Sequence, residues 1–188
     1  QSPLESFQIY LDGMSRMMQI AIMLLLAWAM GDMMVTLGAD NYVATLVREN
    51  VVAWTLPLLI FAVACVISFA TGSSWGTFAI ILPLTLPAAA AIDISIAVCI
   101  GAVLSGGLFG DHCSPISETT ILASAGAGCD VFEHFRTQLP YALANGALCL
   151  IGFVVSSVSQ SVAIVAMLLA MQTLVLLVIG KFQLKRFP

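Results

Sequence analysis

Two long stretches of this chain carry no charge. One is Asn50 to Ile92 and the other is Thr137 to Gly180, each more than 40 residues long. A membrane-crossing helix needs about 20 apolar residues, so each stretch has room for two membrane segments. Of the 188 residues, 61% are hydrophobic and only 9% are charged, against roughly 25% charged in soluble domains. Six basic and ten acidic side chains could not coat a soluble fold of this size. The pattern implies an integral membrane protein. It excludes a soluble enzyme and, with no basic stripe, a nucleic-acid binder. Among the five cysteines there is no CxxC pair, and Cys65, Cys99 and Cys149 lie in apolar runs, where they act as small hydrophobes. The chain begins at Gln1 and shows no basic leader with a cleavage site. It is expected to be a piece of a longer protein.

The fold expected is all-α and polytopic, a single membrane unit over residues 1–188. Five segments can be drawn: 14–37, a helical hairpin over 51–91 with a polar break at 71–77, a helix over 94–128 broken at 110–118, and helices over 138–155 and 161–180. Arg16, Arg136, Lys181, Lys185 and Arg186 fall on one side of this scheme and Arg48 on the other. The positive-inside rule then makes the C-terminus cytoplasmic. Pro57 to Ala70 is 14 residues, about 21 Å of helix, which is short of the roughly 30 Å hydrocarbon core. Ile94 to Phe109 spans about 24 Å from the same face. Both breaks therefore fall at similar depth, and the hairpin reads as re-entrant; two full spans, which would keep the same topology, are the alternative.

The first break contains the hydroxyls of Thr71, Ser73, Ser74 and Thr77, with Gly72 and Gly76. Unwound backbone at membrane depth must be buried in protein or line a wet cavity. Its oxygens suit Na⁺ or another hard cation. The competing reading is a small-residue packing seam whose hydroxyls bond back to their own helix. In the second break, Gly106, Gly107 and Gly110 are expected to loosen the helix and Pro115 to stop it. Asp111, His112 and Glu118 are ionisable, with Ser114, Ser117, Thr119 and Thr120 among them. Ionisable groups at membrane depth mark function by default, and broken helices carry the ion sites of many transporters.

A carboxyl group withdrawn from water holds a proton more readily than one in water. Such a group can carry either a proton or a cation, which is the minimal chemistry of a cation/proton antiporter. Asp111 is the first choice for that exchange and Glu118 the second, with His112 as a tuning residue. The alternative is that Asp111 or Glu118 caps a half-helix. Asp32, Asp93 and the loop Asp130, Glu133, His134 and Arg136 read as end markers or solvated charge. A zinc site from His112, Cys113, Cys129 and His134 matches no usual spacing. A serine hydrolase using Ser73 or Ser74 lacks a nucleophile elbow.

The run from Gly110 through Asp111, His112, Cys113, Ser114, Pro115, Ile116, Ser117, Glu118, Thr119 and Thr120 to Leu122 resembles the signature of the NhaC family of Na⁺/H⁺ antiporters. Ala70 to Thr77 resembles that family's other polar segment, and Gly126 to Asp130 and Thr137 to Tyr141 also fit. The family has Asp where this chain has Glu118. The resemblance implies one half, the C-terminal one, of an inverted-repeat ion transporter. Na⁺ and H⁺ would be its cargo, with no resident cofactor and no enzymatic step. Its partners would be the bilayer, an N-terminal half of the same protein and, as an option, a second copy in a homodimer. The location would be the bacterial inner membrane. Similar proteins exchange organic anions such as malate and lactate, so Na⁺/H⁺-coupled anion exchange is the alternative activity, and a non-transporting assembly fragment is a further one. Thiol labelling of single cysteines placed at positions 48 and 136 of the full-length protein is expected to succeed from opposite faces. Labelling of position 48 from the cytoplasm would overturn the orientation.

Overall fold

The computed structural model describes residues 2–158 and 162–184, and every regular element among them is helical. The order is α1 (Pro3–Thr36), α2 (Ala39–Asn50), α3 (Leu56–Thr71), α4 (Ser74–Ala91), α5 (Ile96–His112), α6 (Glu118–Ala127), α7 (Val131–Val158) and α8 (Val162–Leu184), with a short 3-10 turn at Ala53–Thr55 before α3. Lys185 and Arg186, which entered the orientation count, lie outside the described residues.

Several boundaries differ from the sequence reading, each for a local reason. α1 starts at Pro3, not Met14, because Ser2 and Glu5 form a reciprocal capping box and Pro3 suits the first helical position. α2 occupies a stretch read as a connector. Val43 and Val47, one turn apart, dock it on the core, where Val47 is buried. At its end the Arg48 Nε donates to the carbonyl of Ala91, the last residue of α4, at 3.2 Å. The hairpin arms are longer than expected. α3 has 16 residues and α4 has 18, about 24 and 27 Å. Pro83 and Pro87 sit inside α4 without ending it. Ala53–Thr71, Ser74–Ala91 and Val131–Ser156 are each long and apolar enough to cross a membrane.

The packing has small and polar groups inside and large apolar groups outside. On α3, Ile60, Phe61, Ala64 and Ser68 are buried, while Leu59, Val63 and Val66 are exposed. Thr77, Thr85, Asp111, Ser117 and Ser124 are all buried elsewhere in the bundle. A surface rich in Leu and Val over an interior holding hydroxyls is suited to lipid, where helix association rests on close packing and not on the hydrophobic effect.

α3 and α5 run parallel and nearly touch. Gly106 of α5 faces Phe61 and Ala64 of α3, and Gly110 faces Cys65 and Ser68. A Cβ on Gly106 would lie 2.6 Å from the Phe61 carbonyl oxygen, and one on Gly110 would run into the Cys65 carbonyl. The Ser68 hydroxyl donates to the Gly107 carbonyl across this seam. The glycines therefore do not loosen α5, which is regular through His112. They admit α3. α7 runs back along α5, with Gly146 against Phe109 and the Gln138 Nε2 donating to the His112 carbonyl at 3.0 Å. The ring of Phe61 lies 6.0 Å from Phe109 and 5.5 Å from Phe153, which ties α3, α5 and α7 together.

Gly110→Ala is expected to destabilise the fold by about 1–3 kcal/mol through overpacking of the α3–α5 seam. Gly126→Ala, whose Cβ would meet nothing within 4 Å, is expected to be neutral. Thermal unfolding of both variants in detergent checks this, and equal melting temperatures would refute the seam.

Candidate functional site

The first break is only two residues wide. Gly72 ends α3 with φ 66°, a left-handed conformation open to glycine, and Ser73 caps α4 by accepting from the Gly76 N–H at 3.3 Å. The polar span expected at 71–77 is thus mostly helical. Its hydroxyls largely serve their own backbone. Thr71 Oγ1 donates to the Ile67 carbonyl at 2.8 Å, and Thr77 Oγ1 donates to the Ser73 carbonyl at 2.9 Å. Ser74 and Thr77 are buried. That is the back-bonding alternative weighed for this segment.

The second break lies between His112 and Glu118, and it gathers the chemistry. Asp111, in the last turn of α5, is fully buried. Ser117 Oγ donates to its Oδ1 at 2.8 Å, and Thr119 Oγ1 donates to its Oδ2 at 2.7 Å. Ser117 is also the N-cap of α6 and accepts from the Thr120 N–H at 3.2 Å. The two hydroxyl oxygens are themselves 2.9 Å apart. Each oxygen of the carboxyl group thus meets one hydroxyl. Ser114 is buried beside this cluster in sequence, and its Oγ has no hydrogen-bond partner.

The breaks meet through main chain. The Glu118 N–H donates to the Gly72 carbonyl at 3.2 Å, and a Cβ on Gly72 would fall 2.6 Å from the Ile116 carbonyl oxygen. The side chains of Asp111, Ser117 and Thr119 are brought together, with the Ser114 main chain bonded to those of Asp111 and Ser117 and the Gly72 carbonyl on the Glu118 N–H. Thr71, Ser73, Ser74 and Thr77 stay with their own break. The Glu118 side chain is exposed. His112 is exposed too, and its Nδ1 bonds the Leu108 carbonyl one turn back at 2.7 Å. Its hydrogen bond goes to its own helix and not to a carboxylate.

Sequence reasoning passes over Ser124 and Gln138 and reads His134 as solvated charge. Ser124 is buried, donates to the Thr120 carbonyl at 2.7 Å and lies 2.9 Å from His134 Nδ1. Gln138 ties α7 to the end of α5. The spacing of Ser117, Thr120 and Ser124, one helix face, was the available signal.

A model of the Na⁺/H⁺ antiporter family matches residues 3–158. The chain belongs to that family. It is 36% identical over 158 residues to an uncharacterized protein of Haemophilus influenzae, covering 84% of this chain and 30% of that protein. It is 32% identical over 111 residues to the Na⁺/H⁺ antiporter NhaC of Alkalihalophilus pseudofirmus, which covers 59% of this chain and 24% of the relative. It is also 39% identical over 83 residues to a malate-2H⁺/Na⁺-lactate antiporter of Bacillus subtilis, covering 44% of this chain and 18% of the relative. The chain thus spans less than a third of the length of these curated relatives. No solved structure matches it.

In this antiporter-family chain Ser117 has two tasks and Thr119 has one. Ser117→Ala is expected to cost about 2–3 kcal/mol, since it removes a bond to a buried carboxyl group and a helix cap. Thr119→Val should cost less, and Thr119→Ser should be near neutral. Unfolding in detergent ranks the three, and a Ser117→Ala no worse than Thr119→Val would refute the double role.

Proposed function

We propose that this chain supplies part of the ion site of a secondary transporter that exchanges Na⁺ or Li⁺ for H⁺ across a bacterial cell membrane, with Asp111 binding cation and proton in turn. The observation that carries the reading is a carboxyl group without solvent contact, held on both oxygens by hydroxyls, at a helix break. Thr119 Oγ1, which donates to Asp111, keeps lone pairs for a cation, and Ser117 Oγ keeps one beside the N–H of Thr120 that it accepts. The Ser114 Oγ, buried and unpartnered, adds one more hard oxygen. Glu118 and the hydroxyls of Thr71, Ser73, Ser74 and Thr77 form the wider set of candidates around the paired breaks. The C-terminal turns of α3 and α5 both end at this level, and their carbonyls favour positive charge.

The exchange follows from mutual exclusion. With Na⁺ at the carboxylate there is no room for a proton, and a protonated carboxyl group is a poor cation ligand. The bilayer makes an unpaired carboxylate costly, so the site is driven to hold one or the other. In this reading the hairpin of α3 and α4 is re-entrant, with its tip against the break after α5 while α6 and α7 carry the chain onward. Arg136 and Lys181 mark the cytoplasmic side and Arg48 the outer one. An N-terminal half of the same protein would complete the site, and a second copy could pair with it.

The Bacillus subtilis relative's name favours a second reading, in which an organic anion such as malate or lactate moves with Na⁺ and H⁺. The test is full-length protein in vesicles. A pH gradient is imposed, Na⁺, Li⁺ or K⁺ is added, and proton movement is followed with and without malate and lactate. Proton flux on Na⁺ or Li⁺ alone is expected, and Asp111→Asn should reduce it to the level of empty vesicles. Ser114→Ala should raise the half-saturating Na⁺ concentration by about fivefold, the equivalent of one modest oxygen contact. Flux only when an organic anion is present would favour the second reading. No cation-driven flux in either condition would refute both.

A further inference from the structure

The Asp111 cluster continues into a row of hydroxyls. Ser117, Thr120 and Ser124 stand at i, i+3 and i+7 on α6, which puts them on one face of the helix. All three are buried. The row is about 10 Å long by helix rise. One end is Ser117, on the Asp111 carboxyl group. The other end is Ser124, 2.9 Å from Nδ1 of His134 in the first turn of α7. His134 is half-buried.

Two details point to a function for the row. The Ser124 hydroxyl proton goes to the Thr120 carbonyl at 2.7 Å. A hydroxyl has one proton, so while it serves that carbonyl the contact with His134 is made by the tautomer whose Nδ1–H donates to Ser124 Oγ. In that tautomer the imidazole presents a proton to the row. Between the ends, Thr120 Oγ1 is buried with no hydrogen-bond partner. A buried hydroxyl without a protein partner is a group that a bound water commonly serves, and the route below assigns one water to it.

We propose that His134, Ser124 and Thr120 form the path by which protons pass between solvent and the Asp111 site. The proposal rests on the antiporter reading above and adds the proton route and its outer terminus to it. The protons balance along the path. Solvent protonates the imidazole, and the Nδ1–H passes to Ser124 Oγ as Ser124 releases its own proton toward the water at Thr120. That water releases a proton in turn to the Ser117 and Thr119 hydroxyls, and one of these protonates Asp111. One proton enters at Nε2, one arrives at Asp111, every hydroxyl ends with one proton, and the imidazole returns from its Nε2–H form to its Nδ1–H form by exchange with solvent. The reverse sequence carries a proton out. Neighbouring charges leave His134 to this task. Asp130 accepts from the Phe132 and Glu133 N–H groups at the start of α7, and Glu133 pairs with Arg136 at 3.6 Å on the exposed surface. Glu118, the charged residue of α6, lies at the far end of the row. His112 and Asp111 of α5 bond Leu108 and the break.

The experiment uses full-length protein in vesicles and two readouts. One is Na⁺-driven proton flux. The other is exchange of isotope-labelled Na⁺ for Na⁺ at equal pH on both sides, which needs no net proton movement. His134→Ala is expected to slow proton flux about tenfold or more while leaving Na⁺/Na⁺ exchange near wild type. Added imidazole should restore part of the flux. Ser124→Ala and Thr120→Val should show the same split, and Thr120→Ser should retain flux. Wild-type flux in His134→Ala, equal loss of both readouts, or no response to imidazole would overturn the route while the antiporter reading stands. Absence of Na⁺-driven flux in the wild type would overturn that reading and the route with it.

Discussion

A carboxyl group sealed from water must find its hydrogen bonds in the protein, and much of this structure follows from meeting that need at Asp111. Its two donors, Ser117 and Thr119, come from the start of a new helix. A helix start at that level requires the previous helix to stop, which happens in the turn that holds Pro115. Stopping a helix exposes main-chain groups that lipid cannot satisfy. Ser117 meets one of them by accepting from Thr120 N–H, and the hairpin tip meets another, with Gly72 accepting from Glu118. The second break is thus stabilised by the presence of the first.

That meeting depends on how closely α3 and α5 approach. Gly106 and Gly110 remove the side chains that would hold the helices apart, and Ser68 bonds across the gap they leave. Because the helices run parallel, equal length from a common end brings their C-terminal turns to one level. The phenylalanines at positions 61, 109 and 153 fill the space behind the seam. Bulk is placed away from the site and small residues next to it, which lets backbone reach backbone.

The membrane class was legible from charge spacing alone, and the existence of both breaks from clustered Gly, Pro and hydroxyl residues. Helix ends were less legible. Ser73 and Ser117 are caps, and a cap looks like a polar loop residue until the N–H it accepts from is known. This is why the first break reads as seven residues and is two. The role of the α5 glycines was misjudged for a related reason. Glycine both weakens a helix and permits contact, and the neighbour that decides between them lies some 45 positions away in the chain. Asp111 stands out because charge is rare next to long apolar runs. Ser124 and His134 do not, because their relation is tertiary and His134 sits in a run of ordinary loop charges.

The bond between Glu118 N–H and Gly72 carbonyl has a consequence for genetics. Both partners are main-chain atoms, so the joint survives almost any replacement of the Glu118 side chain. An alanine scan measures side chains and would score position 118 by its exposed carboxylate alone. Proline is the one amino acid that lacks the donor, and position 118 is the first residue of a helix, where proline is otherwise well accommodated. The contact that joins the two halves of the site is therefore silent in the usual mutational survey, and its sequence can drift without the architecture recording the change.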